Sequence, residues 1–376
     1  MGVARRFAAL ATAATVLAGC SSAPTSATVD WYVTPGLGDT DALARACSGA
    51  DVTIRVHELP ADADARHTLL VRTLQADPAS IDLLSVDGSS VPELAAAGFL
   101  TTQPADRVAD LLPAAVESVT HDGDVAAVPW TIDPQLLWFR TVVAERAGID
   151  TSEPVSWDDL IGGAERLGVT VQVADADGTG VAGWVATLGA DDDAAAILER
   201  YRDAQVGPGP TDDAVGGFLA GDGGFLIAPG SALADPRLRS VIDQVGVVDY
   251  PLVADRPVVP GTVQALAVPQ GAAEAAEAST VIDCLTDPTL VRDVVVATGV
   301  ASAQTAVLDD PALDELPTVD RLRTALQTVL LPSSTPYQNA IRRALDDTWS
   351  PLADVTDRTP AESRTAVAAA TSGRLP

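Results

Sequence analysis

The sequence predicts an α/β protein with two domains, and three observations support this. After residue 28 short apolar strands alternate with helical segments, an order typical of a parallel sheet covered by helices. The chain has 376 residues, more than one ordinary core accommodates, and 47% of them are apolar, which is enough for two cores. Strand-like segments begin again near residue 125, which indicates a second α/β unit.

The first 28 residues resemble an export signal and a tether. Arg5 and Arg6 precede an apolar run that is too short to span a bilayer by the ~20-residue rule, and Leu-Ala-Gly leads to Cys20. This pattern predicts a lipoprotein signal peptide over 1–19, acyl chains on Cys20 and a flexible tether over 20–28. We therefore expect a protein anchored by lipid alone to the extracytoplasmic face of the cell membrane.

In the first domain, strands and helices alternate. Apolar and polar residues alternate in the second strand, and Leu70 and Leu74 lie one helical turn apart before Asp77-Pro78 ends their helix. The predicted strands are Val29–Val33, Val52–Val56 and Ile81–Val86, and the predicted helices are 42–47, 62–76 and a short helix that Ser90 caps.

The second unit has the same alternation. Ser156 and Asp159 are spaced as in a capping box, so a helix begins there and ends at Gly168. The predicted strands are Val125–Trp130, Leu136–Phe139, 169–174, Gly223–Ile227 and 262–268, and helices are expected at 272–285 and over most of the chain from residue 312.

The charged and nucleophilic residues exclude several classes of protein. All 23 basic residues are Arg against 52 acidic residues, so the net charge is −29, which disfavours nucleic-acid partners. Without Lys there is no phosphate-loop lysine or Schiff base, and three His leave little for metal sites. Gly178–Gly183 matches the dinucleotide fingerprint, but the preceding Asp175 and Asp177 oppose a pyrophosphate, and a calcium loop there would lack its final Glu. We expect neither an enzyme nor a cofactor.

Tryptophans near strand ends suggest platforms on which sugar rings stack. Trp130, which follows Pro129, and Trp184, which lies between Gly183 and a predicted helix, are the candidates, whereas Trp138 and Trp349 are better explained as core residues. A core role for Trp184 remains open. Asp87 follows the third strand and Asp133 follows Trp130, so carboxylates that accept sugar hydroxyls lie nearby in the sequence.

Two cysteines remain in the exported chain, Cys47 and Cys284. In a compartment that permits disulfides, two remaining cysteines are more often bonded to each other than left as free thiols. If they pair, a late segment returns to the first domain.

The order of several segments resembles the family 1 extracellular solute-binding proteins of carbohydrate ABC importers. Within this family, the chain is most similar to the mycobacterial trehalose-binding lipoproteins. The segments that carry the resemblance are Ile81–Asp87, Glu93–Leu100, Ala127–Arg140, Ser156–Leu160, Phe218–Leu226, Gly261–Val268 and Asp283–Pro288.

The resemblance implies a two-lobed, periplasmic-binding-protein-like (type II) fold with a central ligand cleft and strands that cross between the lobes. Lobe 1 would comprise 29–125 and 258–310, and lobe 2 would comprise 126–257 and 311–376. The implied function is a monomeric receptor that passes a sugar, such as a disaccharide, to permease subunits. A secreted glycan hydrolase and an envelope lipoprotein without transport function are the alternatives.

The resemblance also implies the ligand contacts. Where this chain has Asp133 and Pro332, the trehalose-binding members have Asn and Arg, which changes the hydrogen bonds that a sugar would meet. The implied ligand residues are Asp87, Asp133, Trp184 and Trp130, the returning loop at Gly261, Thr262 and Val263, and, with less support, Tyr32, Thr34 and Asp39.

Overall fold

The computed structural model describes residues 26–174, 207–209, 211–221, 223–252, 257–350 and 354–372. The predicted signal peptide, Cys20 and Trp184 lie outside the described residues, as do Asp175, Asp177 and Gly178–Gly183. None of the described helices is long and apolar enough to cross a bilayer.

Strands and helices alternate along the chain as the sequence predicts. The strands are β1 (Ala27–Val33), β2 (Val52–Glu58), β3 (Leu83–Asp87), β4 (Thr120–His121), β5 (Asp124–Val125), β6 (Val128–Arg140), β7 (Thr170–Ala174), β8 (Gly207–Gly209), β9 (Gly223–Pro229), β10 (Val245–Asp249), β11 (Val259–Ala267), β12 (Ala301–Ser302) and β13 (Val329–Leu330). The helices are α1 (Thr40–Cys47), α2 (Ala63–Ala76), α3 (Val91–Ala96), α4 (Pro113–Ser118), α5 (Thr141–Ala147), α6 (Trp157–Leu167), α7 (Thr211–Leu219), α8 (Pro236–Arg239), α9 (Ala275–Leu285), α10 (Pro288–Thr298), α11 (Val319–Ala325), α12 (Gln338–Trp349) and α13 (Thr359–Thr371).

The main sheet is mixed, with the order β2-β1-β3-β11-β6-β9-β7-β8. The outer pairs β1·β2, β1·β3, β7·β8 and β7·β9 are parallel, as predicted from the alternating elements. The central pairs β3·β11, β11·β6 and β6·β9 are antiparallel, so the expectation of a wholly parallel sheet is wrong at its centre.

Strand β6 joins the two halves of the sheet. Residues 128–134 pair with β11, and residues 135–139 pair with β9. The sequence predicts two strands here, but the structure has one 13-residue strand. Pro134 lies where the strand changes partner, a position at which a missing N–H is tolerated within a sheet.

Local sequence signals set the helix ends. The Ser156 hydroxyl accepts a hydrogen bond from the Asp159 amide (3.1 Å), and Gly168 ends α6 in the left-handed region with φ of 63°. The predicted helix start at Ser156 and stop at Gly168 are therefore confirmed.

A disulfide connects α1 to α9. Cys47 and Cys284 are bonded, with their Cα atoms 5.8 Å apart although 237 residues separate them in the sequence. The predicted pairing is confirmed, and it ties the segment after β11 to the first α/β unit.

Helix α12 packs against the first α/β unit. Arg342 and Arg343 both bind the carboxylate of Asp64 at the start of α2, at 2.6 and 2.9 Å. The Asn339 amide donates to Glu93 of α3 at 2.8 Å. The C-terminal segment thus returns to elements near the chain's beginning.

Candidate functional site

A cavity of about 620 Å³ lies between the two halves of the sheet, within the size range of small-molecule sites. Its walls come from the ends of β1 and β3, from β6 and β11 where they cross, and from the segments after β9 and β13. The polar side chains in its lining are Thr34, Arg66, His67, Asp87, Ser89, Ser90, Asp133, Gln135, Ser231, Thr262, Gln264, Ser333, Gln338, Asn339 and Arg342.

Asp87, at the end of β3, is bound by its neighbours. Arg66 donates to its carboxylate through Nε (3.3 Å) and Nη2 (2.9 Å), and the amide of Gln264 donates to its other oxygen. Arg66 is only 5% exposed, and its Nη1 donates to the carbonyls of Pro60 and Ala61. The Asp87 charge is therefore already neutralised within the protein.

Asp133 lies in β6 at the change of partner. Its carboxylate accepts a hydrogen bond from the Ser231 amide (3.1 Å), from the Ser231 hydroxyl and from the Gly230 amide. Burial raises the pKa of Asp133 from 3.8 to about 6, and these hydrogen bonds oppose the rise only in part. No charged side chain among the described residues acts on this carboxylate.

A close backbone contact places the Gly230 and Ser231 amides beneath Asp133. A Cβ on Gly230 would come within 2.6 Å of the Gly299 carbonyl oxygen, and a Cβ on Gly299 within 2.5 Å of the Gly230 oxygen. Only glycine allows this approach, and Gly299 also has a φ of +80°. The turn that binds the carboxylate depends on both residues.

Two amide oxygens in the lining lack a donor. Gln264 donates through its nitrogen to Asp87, which fixes the amide and leaves Oε1 buried without a partner among the described residues. Gln135 Oε1 is likewise buried and unpaired there. Both residues line the cavity through other atoms, and the two oxygens themselves lie beneath its surface.

The cavity edge carries a second polar cluster. Glu93 binds His67 (2.9 Å) and Asn339 (2.8 Å), and although burial opposes its ionisation, these hydrogen bonds lower the pKa of Glu93 below its usual value. Burial also opposes ionisation of Asp64, but Arg343 and Arg342 lower its pKa. Both carboxylates therefore hold α12 against α2 and α3 as anions.

The structure brings six predicted ligand residues to the cavity: Thr34, Asp87, Asp133, Gly261, Thr262 and Val263. The last three belong to strand β11 rather than to a loop, and the register sets Thr262 opposite Asp133. Pro332, at which the sequence departs from the trehalose-binding members, also lines the cavity.

Three predicted residues are elsewhere. Trp130 is 1% exposed, packs edge-on against Trp31 and donates to the Leu285 carbonyl (3.0 Å), so it is a core residue and not a stacking platform. Tyr32 stacks on a histidine ring instead of lining the cavity. Asp39 is exposed and caps α1 through the Ala42 amide.

The residues that the sequence prediction missed are mostly the partners of the carboxylates. Arg66 carried a detectable signal: it lies at helical spacing with Leu70 and Leu74 on the buried face of α2, where an arginine needs a partner. Gln264, Ser231 and Asn339 carried none, because their roles depend on contacts far apart in the sequence. The described lining contains no Trp, Tyr or Phe.

Comparisons with known proteins agree with this architecture. The family model for "Bacterial extracellular solute-binding protein" matches residues 41–320. A segment of 122 residues, 31% of the chain, is 26% identical to the "Probable ABC transporter-binding protein" of Deinococcus radiodurans. The match covers only 28% of that protein's length.

Solved structures have the same fold at low sequence identity. The GacH receptor of Streptomyces glaucescens, solved unliganded and with acarbose, matches with a TM-score of 0.81 at 16% identity over 93% of this chain and all of that one. Maltose-bound MalE3 of T. maritima gives 0.76 at 20% identity, covering 91% and 98%. UgpB from Mycobacterium tuberculosis, in complex with glycerophosphocholine, gives 0.76 at 17%, covering 94% and 100%. The predicted two-lobed, periplasmic-binding-protein-like fold is confirmed.

Proposed function

The chain belongs to the family of bacterial extracellular solute-binding proteins, and from this premise we propose that it captures a sugar and delivers it to the permease of an ABC importer. The observation that carries the proposal is the cavity of about 620 Å³, whose walls come from both halves of the sheet. A ligand that touches both walls favours their closure, which a permease can then recognise.

A disaccharide, with trehalose as the first candidate, suits this cavity. Hydroxyl groups can donate to the Asp133 carboxylate, which lines the cavity. Apolar side chains such as Leu70 and Leu331 can pack against the C–H faces of the rings. Two of the similar structures carry acarbose and maltose, and a third carries glycerophosphocholine, which is therefore included in the test.

The lobes and the anchor complete the proposal. Lobe 1 comprises 29–125 and 258–310, lobe 2 comprises 126–257 and 311–376, and the chain passes between them just before β6, just before β11 and after β12. Acyl chains on Cys20 hold a monomeric receptor at the outer face of the membrane. In this division, the contacts of Asp64 with Arg342 and Arg343 bridge the two lobes.

The geometry does not favour a glycan hydrolase. Hydrolysis needs one carboxylic acid and one carboxylate that act on the same bond. Asp87 is held by Arg66 and Gln264, so it is not available as a general acid or base.

The test is a thermal-shift screen followed by calorimetry. Trehalose, maltose, other disaccharides, amino acids and glycerophosphocholine are added to the purified protein, and a bound ligand raises Tm by mass action. We expect a disaccharide to bind and to be recovered unchanged. Stability that no sugar alters would instead support the envelope lipoprotein without transport function, and release of monosaccharides would support the hydrolase.

A further inference from the structure

We propose that the sugar carries a protonated primary or secondary amine, which lies against Asp133. This inference rests on the proposed function and narrows its ligand to amino sugars. It begins from the charges of the cavity wall, where one anion, Asp133, has no cation beside it among the described residues.

Among the described lining residues, each other charge faces an opposite one. Asp87 is bound by Arg66 at 2.9 Å, and Arg342 is bound by Asp64 at 2.6 Å. Asp133 meets only neutral donors, from Gly230 and Ser231. Asp133 is half-buried and its carboxylate has only neutral hydrogen-bond partners among the described residues, so a cationic ligand matches the site better than a neutral one.

The neighbouring polar atoms favour a cation that donates hydrogen bonds. Gln135 Oε1 and Gln264 Oε1 are buried acceptors without donors among the described residues. An ammonium group has two or three N–H donors and no acceptor, whereas each hydroxyl brings acceptor lone pairs that the wall does not need. The two oxygens lie beneath the cavity surface, so the N–H donors of an amine would meet the Asp133 carboxylate.

The absence of Trp, Tyr and Phe from the described lining separates two kinds of cation. Quaternary ammonium groups are recognised by aromatic faces, because they have no N–H to donate. The described wall offers a carboxylate and amide oxygens instead. A primary or secondary amine fits this wall, and a trimethylammonium group does not.

The rest of the molecule favours the same class of ligand. The net charge of −29 attracts cations to the protein and repels anions. The apolar lining and the cavity volume of about 620 Å³ accommodate a ring system larger than a simple amine. A disaccharide with one amino group combines these properties.

The experiment compares matched ligands by calorimetry at pH 7. The series consists of trehalose and maltose, their monoamino analogues, the N-acetylated forms of those analogues, and the N-trimethyl forms. We expect one amino disaccharide to bind at least tenfold more tightly than its neutral parent, and both the N-acetyl and the N-trimethyl forms to lose this preference. Asp133→Asn should abolish the preference, so that the amino disaccharide and its neutral parent bind this variant with equal affinity.

Asp249→Asn is the matched control variant, because burial also raises the pKa of Asp249, which does not line the cavity. It should retain the amine preference. Equal affinity for an amino sugar and its parent, or a preference that survives in Asp133→Asn, would overturn the inference but leave the sugar receptor intact. If no disaccharide binds, neutral or amino, the receptor proposal fails as well.

Discussion

Replacing Asp133 by Asn should stabilise the ligand-free protein at pH 7. Burial raises the pKa of Asp133 from 3.8 to about 6 in the folded state. Because the folded protein holds this proton more tightly than the unfolded chain, the contribution of Asp133 to stability falls as the pH rises from about 4 to about 6. Above that range the ionised carboxylate costs roughly 3 kcal/mol of folding free energy, a cost that Asn does not carry.

The gain in stability of Asp133→Asn should depend on pH, whereas a gain from better packing would not. Thermal unfolding of both proteins at pH 7 should give a Tm higher by about 5 °C for Asp133→Asn. At pH 4, where Asp133 is protonated in the folded protein, the two Tm values should converge. Asp249→Asn is the control, because it removes a half-buried carboxylate whose pKa rise Arg321 opposes from 3.6 Å, so it should bring a smaller gain than Asp133→Asn.

Two results would refute this reasoning. A lower Tm for Asp133→Asn at pH 7 would mean that the hydrogen bonds from Gly230 and Ser231 outweigh the burial of the charge. A gain of equal size at pH 4 and pH 7 would show that the effect does not arise from ionisation.

Three further variants test other parts of the structure. Asp87→Asn leaves the buried guanidinium of Arg66 without its carboxylate, so we expect urea unfolding to show a loss of about 3–5 kcal/mol in the free energy of unfolding. The control is Asp39→Asn at an exposed position, which keeps its helix cap and should lose less than about 1 kcal/mol. Joint replacement of Cys47 and Cys284 by Ser opens a 237-residue loop, and the chain-entropy model predicts a loss of roughly 5 kcal/mol in the free energy of unfolding. A Tm equal to that of the oxidised parent would contradict this. Asp64→Asn removes the carboxylate that binds Arg342 and Arg343 of α12. We expect a larger radius of gyration by X-ray scattering and about fivefold weaker sugar binding, which is a loss of about 1 kcal/mol of binding free energy. An unchanged radius and affinity would show that these ion pairs do not hold the lobes together.

Local features of the fold could be predicted because local interactions determine them. The α6 cap at Ser156 and its stop at Gly168 need only the residues of that helix. The alternation of apolar and polar residues in β2 likewise follows from a strand that turns one face toward the core. The pairing of Cys47 with Cys284 was predictable for a different reason: the sequence has three cysteines, and the third, Cys20, was predicted to carry the lipid anchor.

The arrangement of the central strands could not be predicted in this way. Whether β11 runs parallel or antiparallel to β3 depends on the route of the chain through the second lobe. The continuity of β6 through Pro134 depends on two different strands that pair with its two halves. The same limit applies to Trp130, because strand-end position alone does not distinguish an indole that faces the core from one that faces the cavity.

The two carboxylates of the cavity show where the sequence ceases to be informative. Asp87 and Asp133 look alike in the sequence, since each follows an apolar strand-like segment and neither has a basic residue beside it. Folding makes them different: α2 brings Arg66 to Asp87, while the turn after β9 brings only neutral amides to Asp133. The first is therefore part of a neutral pair, whereas the second meets no cation among the described residues, which is the basis of the proposed amine site. Because this charge lowers stability without a ligand and raises affinity with one, the same Asp133→Asn variant should gain stability and lose its preference for amines. A variant that shifted only one of the two would break the link between the carboxylate's burial and its role in binding.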